Sequence, residues 1–346
     1  MVPTRSRKPR LALVGSDSLR GREILSVLTA KKLAAASFEL FDPDVEEEYS
    51  KLSQFRDEAK VVHALTPAAL DGLDLVFLAA DPKTNLRYGL LAAERDYRAL
   101  DLGENFNADP EVPLVVAGVN DAQLSKKEPP LVANPHPAAI VLSHLLSTLG
   151  AGFGVARSVA VVLEPVSAYA EEGIQELAEQ SYALLGSSAM SKKVFPDQIA
   201  FNLLARTAKP ERNGFSPLEN RVAAEVRRIL GSAEMPLSLS IILVPVFHTY
   251  SMMVHVELGR DAAVAEVEGC LRKKEVFQLP AAGGTSVASP ASVAGKDKIF
   301  IGQVKKDPAI ARSFWIWAIA DNLTVGSALN AYGIARAILK NHGAEA

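Results

Sequence analysis

Short apolar runs alternate with amphipathic stretches along the first 148 residues, a pattern typical of strands and helices that follow one another. The apolar runs predict strands at residues 10–15, 37–41, 61–65, 73–80, 98–102, 113–120 and 130–134. Helical spacing lies between them at 22–28 and 85–96, and again after residue 137. Because apolar strands separated by helices are typical of parallel sheets, this half predicts a doubly wound α/β domain over residues 1–148.

Four loops of this half directly follow predicted strands, at residues 15–21, 79–84, 101–107 and 134–139. The carboxyl ends of parallel strands meet at one edge of a doubly wound sheet, and ligands bind there. We therefore expect any ligand site of this domain to be built from these loops.

Residues 149–320 show a different pattern, in which long strands are separated by helices. The predicted strands are 157–166, 237–246, 251–258 and 313–320, and the predicted helices are 171–186, 217–230 and 261–273. This pattern predicts an α+β domain with helices on one face of a sheet. The other face would need a partner, which predicts a homodimer.

The last part of the chain, residues 321–346, carries an amphipathic helix at 324–340 that we expect to return to the first domain. A stretch of small residues at 281–290 predicts a mobile loop before it.

The composition is that of a globular protein, with 49% hydrophobic and 22% charged residues in a chain of 346. A net charge of −3 makes nucleic acid an unexpected partner. No apolar run reaches the length of a membrane span and no signal peptide precedes the first strand, so a cytoplasmic protein without membrane partners is predicted. The single cysteine, Cys270, excludes an intrachain disulfide and a multi-cysteine metal site, and no metal is expected.

The first strand leads into a turn that contains Gly15 and Gly21 and then into a helix, as in a dinucleotide-binding unit. Asp42 ends the second strand about twenty residues further on, where an acid binds the ribose hydroxyls of NAD and repels the 2′-phosphate of NADP. Ser18 replaces the glycine that would let the backbone approach the phosphates, and Arg20 adds bulk. The turn is therefore either a nicotinamide-dinucleotide site or only a connection between strand and helix.

The candidate cofactor-binding residues comprise this turn, the acid after the second strand and the ends of later segments. They are Gly15, Ser16, Asp17, Ser18, Leu19, Arg20, Gly21, Asp42, Ala79, Ala80 and Asn322.

A second strand, turn and helix pattern covers residues 131–142. The positive end of a helix dipole lowers the pKa of a thiol and stabilises a developing anion, so this is a suitable place for a nucleophile. The turn at 134–139 nevertheless contains no Cys, Ser, Thr or Lys.

Six segments of the chain, in the expected order, resemble signature segments of the aspartate-β-semialdehyde dehydrogenase family. They are LVG (13–15) with GREIL (21–25), DPEVPLVV (109–116) with VN (119–120), ANP (133–135), FPDQIAFN (195–202), VPVF (244–247), and DNL (321–323) with GSALN (326–330). The resemblance implies a Rossmann-type domain followed by a semialdehyde-dehydrogenase dimerisation domain. It also implies an enzyme that reduces an acyl phosphate through a cysteine thioester, with hydride from NADPH and a histidine as acid and base.

Carried over one position at a time, this resemblance implies that the catalytic groups are missing. Pro137 occupies the position of the cysteine, and it offers neither a nucleophile nor an N–H donor. Tyr250 occupies the position of the histidine. The positions of two arginines and a glutamine are held by Leu243, Asn107 and Ala170.

One family charge is retained, because Arg221 lies where relatives tend to carry a lysine. The chain therefore resembles a divergent paralogue that lacks the catalytic Cys and His.

Two histidines near these positions could act as substitutes. His136 precedes Pro137, and His248 lies two residues before Tyr250; alternatively, His136 packs at its turn and His248 continues a strand. The remaining histidines and the cysteine are expected to be structural: His63 and His255 in strands, His144 in the helix after the turn, and Cys270 as an inert buried thiol. The charge runs at 46–48 and 272–274 are expected on solvated faces, and 297–298 with 305–307 on a surface connection.

Two interpretations follow. The favoured one is a homodimeric pseudoenzyme that binds an unidentified ligand or partner. The alternative is an oxidoreductase that keeps NAD through Asp42 and uses His136, His248 or Tyr250 on an aldehyde or carbonyl substrate.

Overall fold

A computed structural model describes residues 8–46, 51–56, 58–127, 129–186, 190, 192–205, 207–281 and 288–341 of the chain. The chain folds into two compact units. The first comprises residues 1–136 and 327–346, and the second comprises residues 137–326. The domain boundary expected after residue 148 lies inside the first helix of the second unit.

The first unit begins with a sheet whose strands are mostly separated by helices. Its strands are β1 (Arg10–Val14), β2 (Ser37–Asp42), β3 (Lys51–Phe55), β4 (Glu58–Ala64), β5 (Leu75–Leu78), β6 (Ala99–Asp101) and β7 (Leu131–Ala133). Its helices up to this point are α1 (Leu19–Ala30), α2 (Pro82–Leu91) and α3 (Ala122–Lys127), with a 3₁₀ turn at Pro67–Leu70.

The sheet of the first unit has the order β3-β4-β2-β1-β5-β6-β7. Every pairing is parallel except that of β3 with β4. Counted along the chain, the parallel strands therefore read 3-2-1-4-5-6, which is the order typical of dinucleotide-binding domains. The doubly wound α/β sheet predicted from the sequence is confirmed.

The predicted strand at 113–120 is wrong. Leu114, Val115 and Val116 of this run are buried, but the run forms only a single bridge, between Leu114 and Ala133. Asn120 explains the difference, since its side chain accepts from Val116 N at 2.7 Å and donates to Leu114 O at 2.9 Å. Backbone groups that would pair with a neighbouring strand are therefore bound by a side chain.

The second unit contains long helices and a second sheet. Its helices are α4 (Pro137–Phe153), α5 (Ala170–Leu185), α6 (Pro217–Ile229), α7 (Val264–Arg272) and α8 (Pro290–Val293). Its strands are β8 (Val155–Glu164), β9 (Leu237–Leu243), β10 (Tyr250–Leu258), β11 (Phe277–Gln278), β12 (Ile299–Lys306) and β13 (Ser313–Ala320), in the sheet order β11-β12-β13-β10-β8-β9.

The two faces of this second sheet differ in burial. Helices α4, α6 and α7 contact its strands, and on the covered face Ala160 and Val162 of β8 are buried. On the opposite face Val159 is 47% exposed and Val161 is 36% exposed, and Trp315 of β13 is also 36% exposed. The predicted α+β domain, with helices on one face of its sheet, is confirmed.

Three strands of the described residues were missing from the sequence-based prediction: β3, the two-residue β11 and β12. Both ends of β12 had been expected to lie in a surface connection. Gly302 interrupts β12, where a Cβ would lie 2.8 Å from Cδ1 of Trp317, and the register shifts between Ile301 and Gln303. Such an irregularity weakens the alternation by which a strand is recognised.

The predicted helix at 324–340 divides into two parts. Residues Thr324–Leu329 form a π-helix, and α9 covers Asn330–Asn341. Ile334 and Ile338 of α9 are buried in the core of the first unit with Ile24 and Leu28 of α1. Most of the small-residue loop, residues 282–287, lies outside the described residues, as do residues 47 and 48 of the acidic run.

Within the part of the chain that the structure describes, no helix combines the length and apolar character that crossing a bilayer requires.

Candidate functional site

The turn between β1 and α1 is closed by its two glycines. Gly15 has φ +86°, and a Cβ there would lie 2.5 Å from Ala80 N; a Cβ at Gly21 would overlap Gly15 O. Neither position therefore accepts a side chain without a backbone shift. This close approach of helix, turn and strand is what a dinucleotide-binding turn requires.

Ser18 is the N-cap of α1. Its hydroxyl accepts from Gly21 N at 2.9 Å and lies 2.7 Å from Ala79 O, to which its proton can be donated. The side chain expected to obstruct the phosphates is thus bound within the turn. Beside it, Ser16 is 1% exposed, and its hydroxyl has no hydrogen-bond partner in the described parts of the chain.

The acid at the end of β2 is engaged by the chain itself. Asp42 is 5% exposed, and its Oδ1 accepts from Asp44 N at 3.2 Å. Its Oδ2 lies 3.7 Å from Nζ of Lys51, which also forms an ion pair with Asp17 of the turn. The hydrogen bond that the Lys51 ammonium donates to Asp17 is the largest cause that raises the pKa of Lys51, so this ammonium is charged at neutral pH.

Arg20 of the turn is also paired, with Glu104 at 3.2 Å. Glu104 belongs to the loop after β6, which Asp101 organises by accepting from Gly103 N at 2.9 Å and Asn105 N at 2.7 Å. Burial raises the pKa of Asp101. Its carboxylate holds the loop that contains Asn107. Asn107 is buried in this loop, with 3% exposure.

These residues fit a dinucleotide at one end and not at the other. The tight turn and the unpartnered hydroxyl of Ser16 fit a pyrophosphate on the helix N-terminus. The ribose end does not fit, because Lys51 lies against the carboxylate that would accept the ribose hydroxyls.

The turn before α4 is fixed by two asparagines of the first unit. Asn330 Nδ2 donates to Asn134 Oδ1 at 2.8 Å and to Val115 O at 2.8 Å, and its Oδ1 accepts from Ala117 N. His136 in this turn is 4% exposed. The sequence left open whether His136 packs at its turn or faces a cleft. Its burial agrees with the first of these alternatives.

Pro137 is the first residue of α4, a position that proline suits because no helical N–H is lost there. It packs against Gly326, where a Cβ would lie 2.6 Å from Cβ of Pro137. The place that resembles the family's cysteine site thus carries a ring in close contact with the chain.

Tyr250 is buried and donates to Oε1 of Glu164 at 2.9 Å. Tyr169 lies 3.4 Å from Oε2 of the same carboxylate, and burial raises the pKa of Tyr169. Glu164 is 2% exposed. The position that resembles the catalytic histidine is therefore part of a buried Glu–Tyr–Tyr cluster.

Leu243, which the family resemblance places where relatives carry an arginine, is 1% exposed. It lies in a small core with Val166, Phe195, Ile199 and Leu177. Its backbone N–H and C=O both bond to Leu204 at 3.0 Å. Leu243 is therefore an apolar packing position.

Three further predicted residues have identifiable surroundings in the second unit. Ala170 has φ +58° at the start of α5, and Arg221 lies 3.7 Å from Glu225. Asn322 is 3% exposed, and its Oδ1 accepts from Thr249 N at 3.0 Å. The expectation that Asn322 touches a cofactor stays a prediction.

The expectation that His248 continues a strand is wrong, because it lies between β9 and β10. His255 lies in β10, and its Nε2 is 3.1 Å from Oδ2 of Asp307. His63 lies in β4, and His144 lies in α4, as expected. Cys270 in α7 is only partly buried, and its Sγ lies 3.6 Å from Thr148 O.

Sequence reasoning missed Lys51, Glu164 and Asp101. Lys51 begins an edge strand that no apolar alternation marks, whereas Glu164 and Asp101 end β8 and β6 and lie just inside the ends of the predicted strands 157–166 and 98–102. An acid at such a strand end was the available signal. Among the described residues, no group of His, Cys, Asp and Glu is arranged to hold a metal ion.

A 3-2-1-4-5-6 sheet with a Gly-containing turn, joined to an α+β unit, defines a two-domain protein of the dinucleotide-binding dehydrogenase class. Residues 10–127 match the family model described as semialdehyde dehydrogenase, NAD binding domain. Residues 146–325 match semialdehyde dehydrogenase, dimerisation domain. The chain therefore belongs to the semialdehyde dehydrogenase family.

Relatives with similarity over almost the whole chain are named aspartate-semialdehyde dehydrogenase. The protein from Aquifex aeolicus is 27% identical over 335 residues, which cover 96% of this chain and 98% of the relative. The fold matches aspartate semialdehyde dehydrogenase II of Vibrio cholerae, with a TM-score of 0.89, 24% identity, and coverage of 97% and 99%. It also matches the Candida albicans enzyme, described with NADP, with a TM-score of 0.70, 16% identity, and coverage of 96% and 98%.

Proposed function

We propose that this chain is a homodimeric semialdehyde-dehydrogenase-like protein without aspartate-semialdehyde dehydrogenase activity. The observation that carries the proposal is Pro137 at the first position of α4. A proline cannot form the thioester on which the family resemblance bases the reaction, and no small shift of side chains supplies the missing sulfur.

The surroundings of the other degenerate positions support the same proposal. Tyr250 is hydrogen-bonded to buried Glu164, and Leu243 lies within an apolar core. These contacts leave no room for a proton-transfer group at position 250 or for an anion-binding side chain at position 243.

The oxidoreductase alternative is not favoured. It requires Asp42 to bind NAD, but Lys51 lies against that carboxylate. It also requires His136, His248 or Tyr250 to act on a substrate, whereas His136 and Tyr250 are buried and His248 is the partly exposed one of the three.

The NAD-binding domain of the family is present, and its cofactor is a separate question. Asp42 disfavours the 2′-phosphate of NADP, so we propose NAD as the better ligand if a dinucleotide binds. The NADP named with the Candida albicans structure concerns that protein. We expect NADP to bind this chain more weakly than about 1 mM.

The match to the dimerisation domain supports a homodimer. We propose that the copies meet through the sheet face that carries Val159, Val161 and Trp315, because large apolar side chains are exposed there.

The proposal is tested by incubating the purified protein at high concentration with aspartate semialdehyde, phosphate and NAD⁺ or NADP⁺. We expect no reduced cofactor above the rate without protein, while a family dehydrogenase assayed in parallel reacts. Turnover that rises in proportion to protein concentration would overturn the proposal. A Cys270→Ser variant shows whether the only thiol of the chain is responsible for any such turnover.

A harder test is to restore the family's catalytic side chains at the positions where the resemblance implies that they are missing. We expect Pro137→Cys with Tyr250→His and Leu243→Arg to give little activity, because Asn107 and Ala170 still replace substrate-binding groups. Activity within about 100-fold of a family enzyme would contradict the importance of those two positions.

A further inference from the structure

The edge strand β3 brings a lysine to the ligand-binding edge of the first sheet. Lys51 pairs with Val62 of β4, and Val62 pairs with Leu40 of β2, so these three residues lie in one row across the sheet. Asp42 lies two residues beyond Leu40, at the carboxyl end of β2. The flexible lysine stem therefore only has to span the width of neighbouring strands to reach that end.

The ammonium of Lys51 joins two loops that a dinucleotide would have to approach. It pairs with Asp17 in the turn before α1 and lies 3.7 Å from Oδ2 of Asp42. The Asp42 side chain is 8% exposed, whereas that of Lys51 is 39% exposed. The carboxylate is thus covered, and the cation that helps to cover it can move into solvent.

We propose that Lys51 acts as an internal cation that occupies the ribose-recognition carboxylate, so that NAD binds only when the bridge between Asp17, Lys51 and Asp42 opens. The inference concerns binding by the NAD-binding domain and does not rest on the missing nucleophile. Lys51 is then a residue that suppresses dinucleotide affinity.

The chemistry of the contacts explains why a ribose competes poorly. The ammonium carries a net charge and is attracted to the carboxylates of both Asp17 and Asp42. A ribose hydroxyl is neutral and would bring to Asp42 a hydrogen bond without this attraction between net charges. Leaving Lys51 without either carboxylate adds a further cost, although solvation of the exposed lysine reduces that cost.

Lys51 could instead be a receptor for the 2′-phosphate of NADP. The charges argue against this, since two carboxylates already flank the ammonium and the three groups together carry one negative charge. A phosphate placed there would be repelled by Asp17 and Asp42.

The test uses the full chain and titrates NAD⁺ by calorimetry, with ligand-observed NMR where affinity is too weak for heat measurements. Lys51→Met keeps the apolar stem and removes the charge. We expect it to bind NAD⁺ at least about tenfold more tightly than the parent protein, and Lys51→Gln to behave alike. NADP⁺ affinity should not improve, because Asp42 then repels its 2′-phosphate.

Two controls isolate the carboxylate and the position. Asp42→Asn in the Lys51→Met background should abolish the gain. Lys60→Met removes a lysine of the adjacent strand β4, which pairs with Glu58 at 4.0 Å, and should leave NAD⁺ affinity unchanged. Urea midpoints establish that each variant is folded.

Two results would overturn the inference. One is unchanged NAD⁺ affinity in folded Lys51→Met. The other is a parent protein that binds NADP⁺ at least about tenfold more tightly than NAD⁺ and loses this preference in Lys51→Met. Turnover is measured separately, so catalytic activity of the parent would sink the proposed function while leaving the Lys51 comparison intact.

Discussion

Glu164 and Tyr250 show at the scale of single residues how a buried carboxylate is satisfied by a hydroxyl donor. The Tyr250 hydroxyl donates to Glu164 Oε1 at 2.9 Å, and both side chains are at most 2% exposed. A buried carboxylate requires such donors to offset lost hydration. Replacing Tyr250 with a residue that cannot donate would therefore leave the buried carboxylate of Glu164 without one of its donors.

The imidazole of His144 makes the stability of the protein depend on pH. Burial, with a smaller effect of Lys274, lowers the pKa of His144 to about 4. The unfolded chain takes up this proton near the ordinary histidine pKa of about 6.5. The stability contributed by neutral His144 is therefore present above that pH and is lost as the pH falls towards 4.

We expect the free energy of unfolding of the parent protein to fall by about 2 kcal/mol more than that of His144→Gln between pH 7 and pH 5. Chemical denaturation at both pH values measures this difference. His63→Gln, at an exposed position of β4, is the matched control and should follow the parent. Parallel curves for parent and His144→Gln would show that the ring is not kept neutral by the fold.

Helix α5 illustrates how an element can organise a neighbouring loop. The carboxylate of Glu176 accepts from the backbone N–H groups of Lys193 at 2.7 Å, Val194 at 2.5 Å and Phe195 at 3.3 Å. One turn later, Gln180 accepts from Ile199 N at 2.8 Å. Buried polar groups of the helix thus satisfy a segment that forms no regular structure of its own.

We expect Glu176→Gln to destabilise the second unit by about 1–3 kcal/mol, because the amide keeps the shape but loses the charge and one acceptor. The change should also speed proteolytic cleavage within residues 192–205. Urea denaturation and limited proteolysis measure the two effects. Glu179→Gln makes the same change at an exposed position of the same helix, where the side chain accepts only from Gln175 among the described contacts, and it should leave both unchanged. Equal cleavage rates in the two variants would contradict this role.

The sequence predicts elements well where periodicity and pairing agree. Strands β1, β2 and β10 lie where apolar runs place them, and the fold class follows from their order. The run at 113–120 is equally apolar, but side chains of Asn120 and Asn330 take its backbone hydrogen bonds. The local pattern cannot show that a remote side chain binds these backbone groups, since Asn330 lies more than two hundred residues away along the chain.

The candidate site is predictable only in part for the same reason. The Gly15 turn and Asp42 can be read from spacing, and the structure places both at strand ends as expected. That Asp42 is covered by Lys51 depends on an antiparallel edge strand, whose exposed residues carry little alternation. The surroundings of Asp42 therefore depend on the edge strand β3, which the hydrophobic pattern of the sequence does not predict.

At the scale of the whole molecule, one face of the second sheet is covered by helices and the other is exposed. Its exposed face carries valines and a tryptophan that a monomer would leave in water. We expect a dimer in sedimentation experiments, and we expect Val161→Lys to weaken dimerisation by at least about tenfold, because the interface would have to bury an ammonium.

Val61→Lys is the matched control. Val61 is 44% exposed on strand β4 of the first unit, so the same change there should not affect the dimer. A Val161→Lys protein that sediments as the parent dimer would show that the copies meet elsewhere.

The burial of Leu243 limits which substitutions this position can accept. An arginine here would push a guanidinium among Val166, Phe195 and Ile199 and lower the stability of the second unit. Selection for a folded protein is therefore enough to keep a charge out of this position, whatever the chain binds or catalyses.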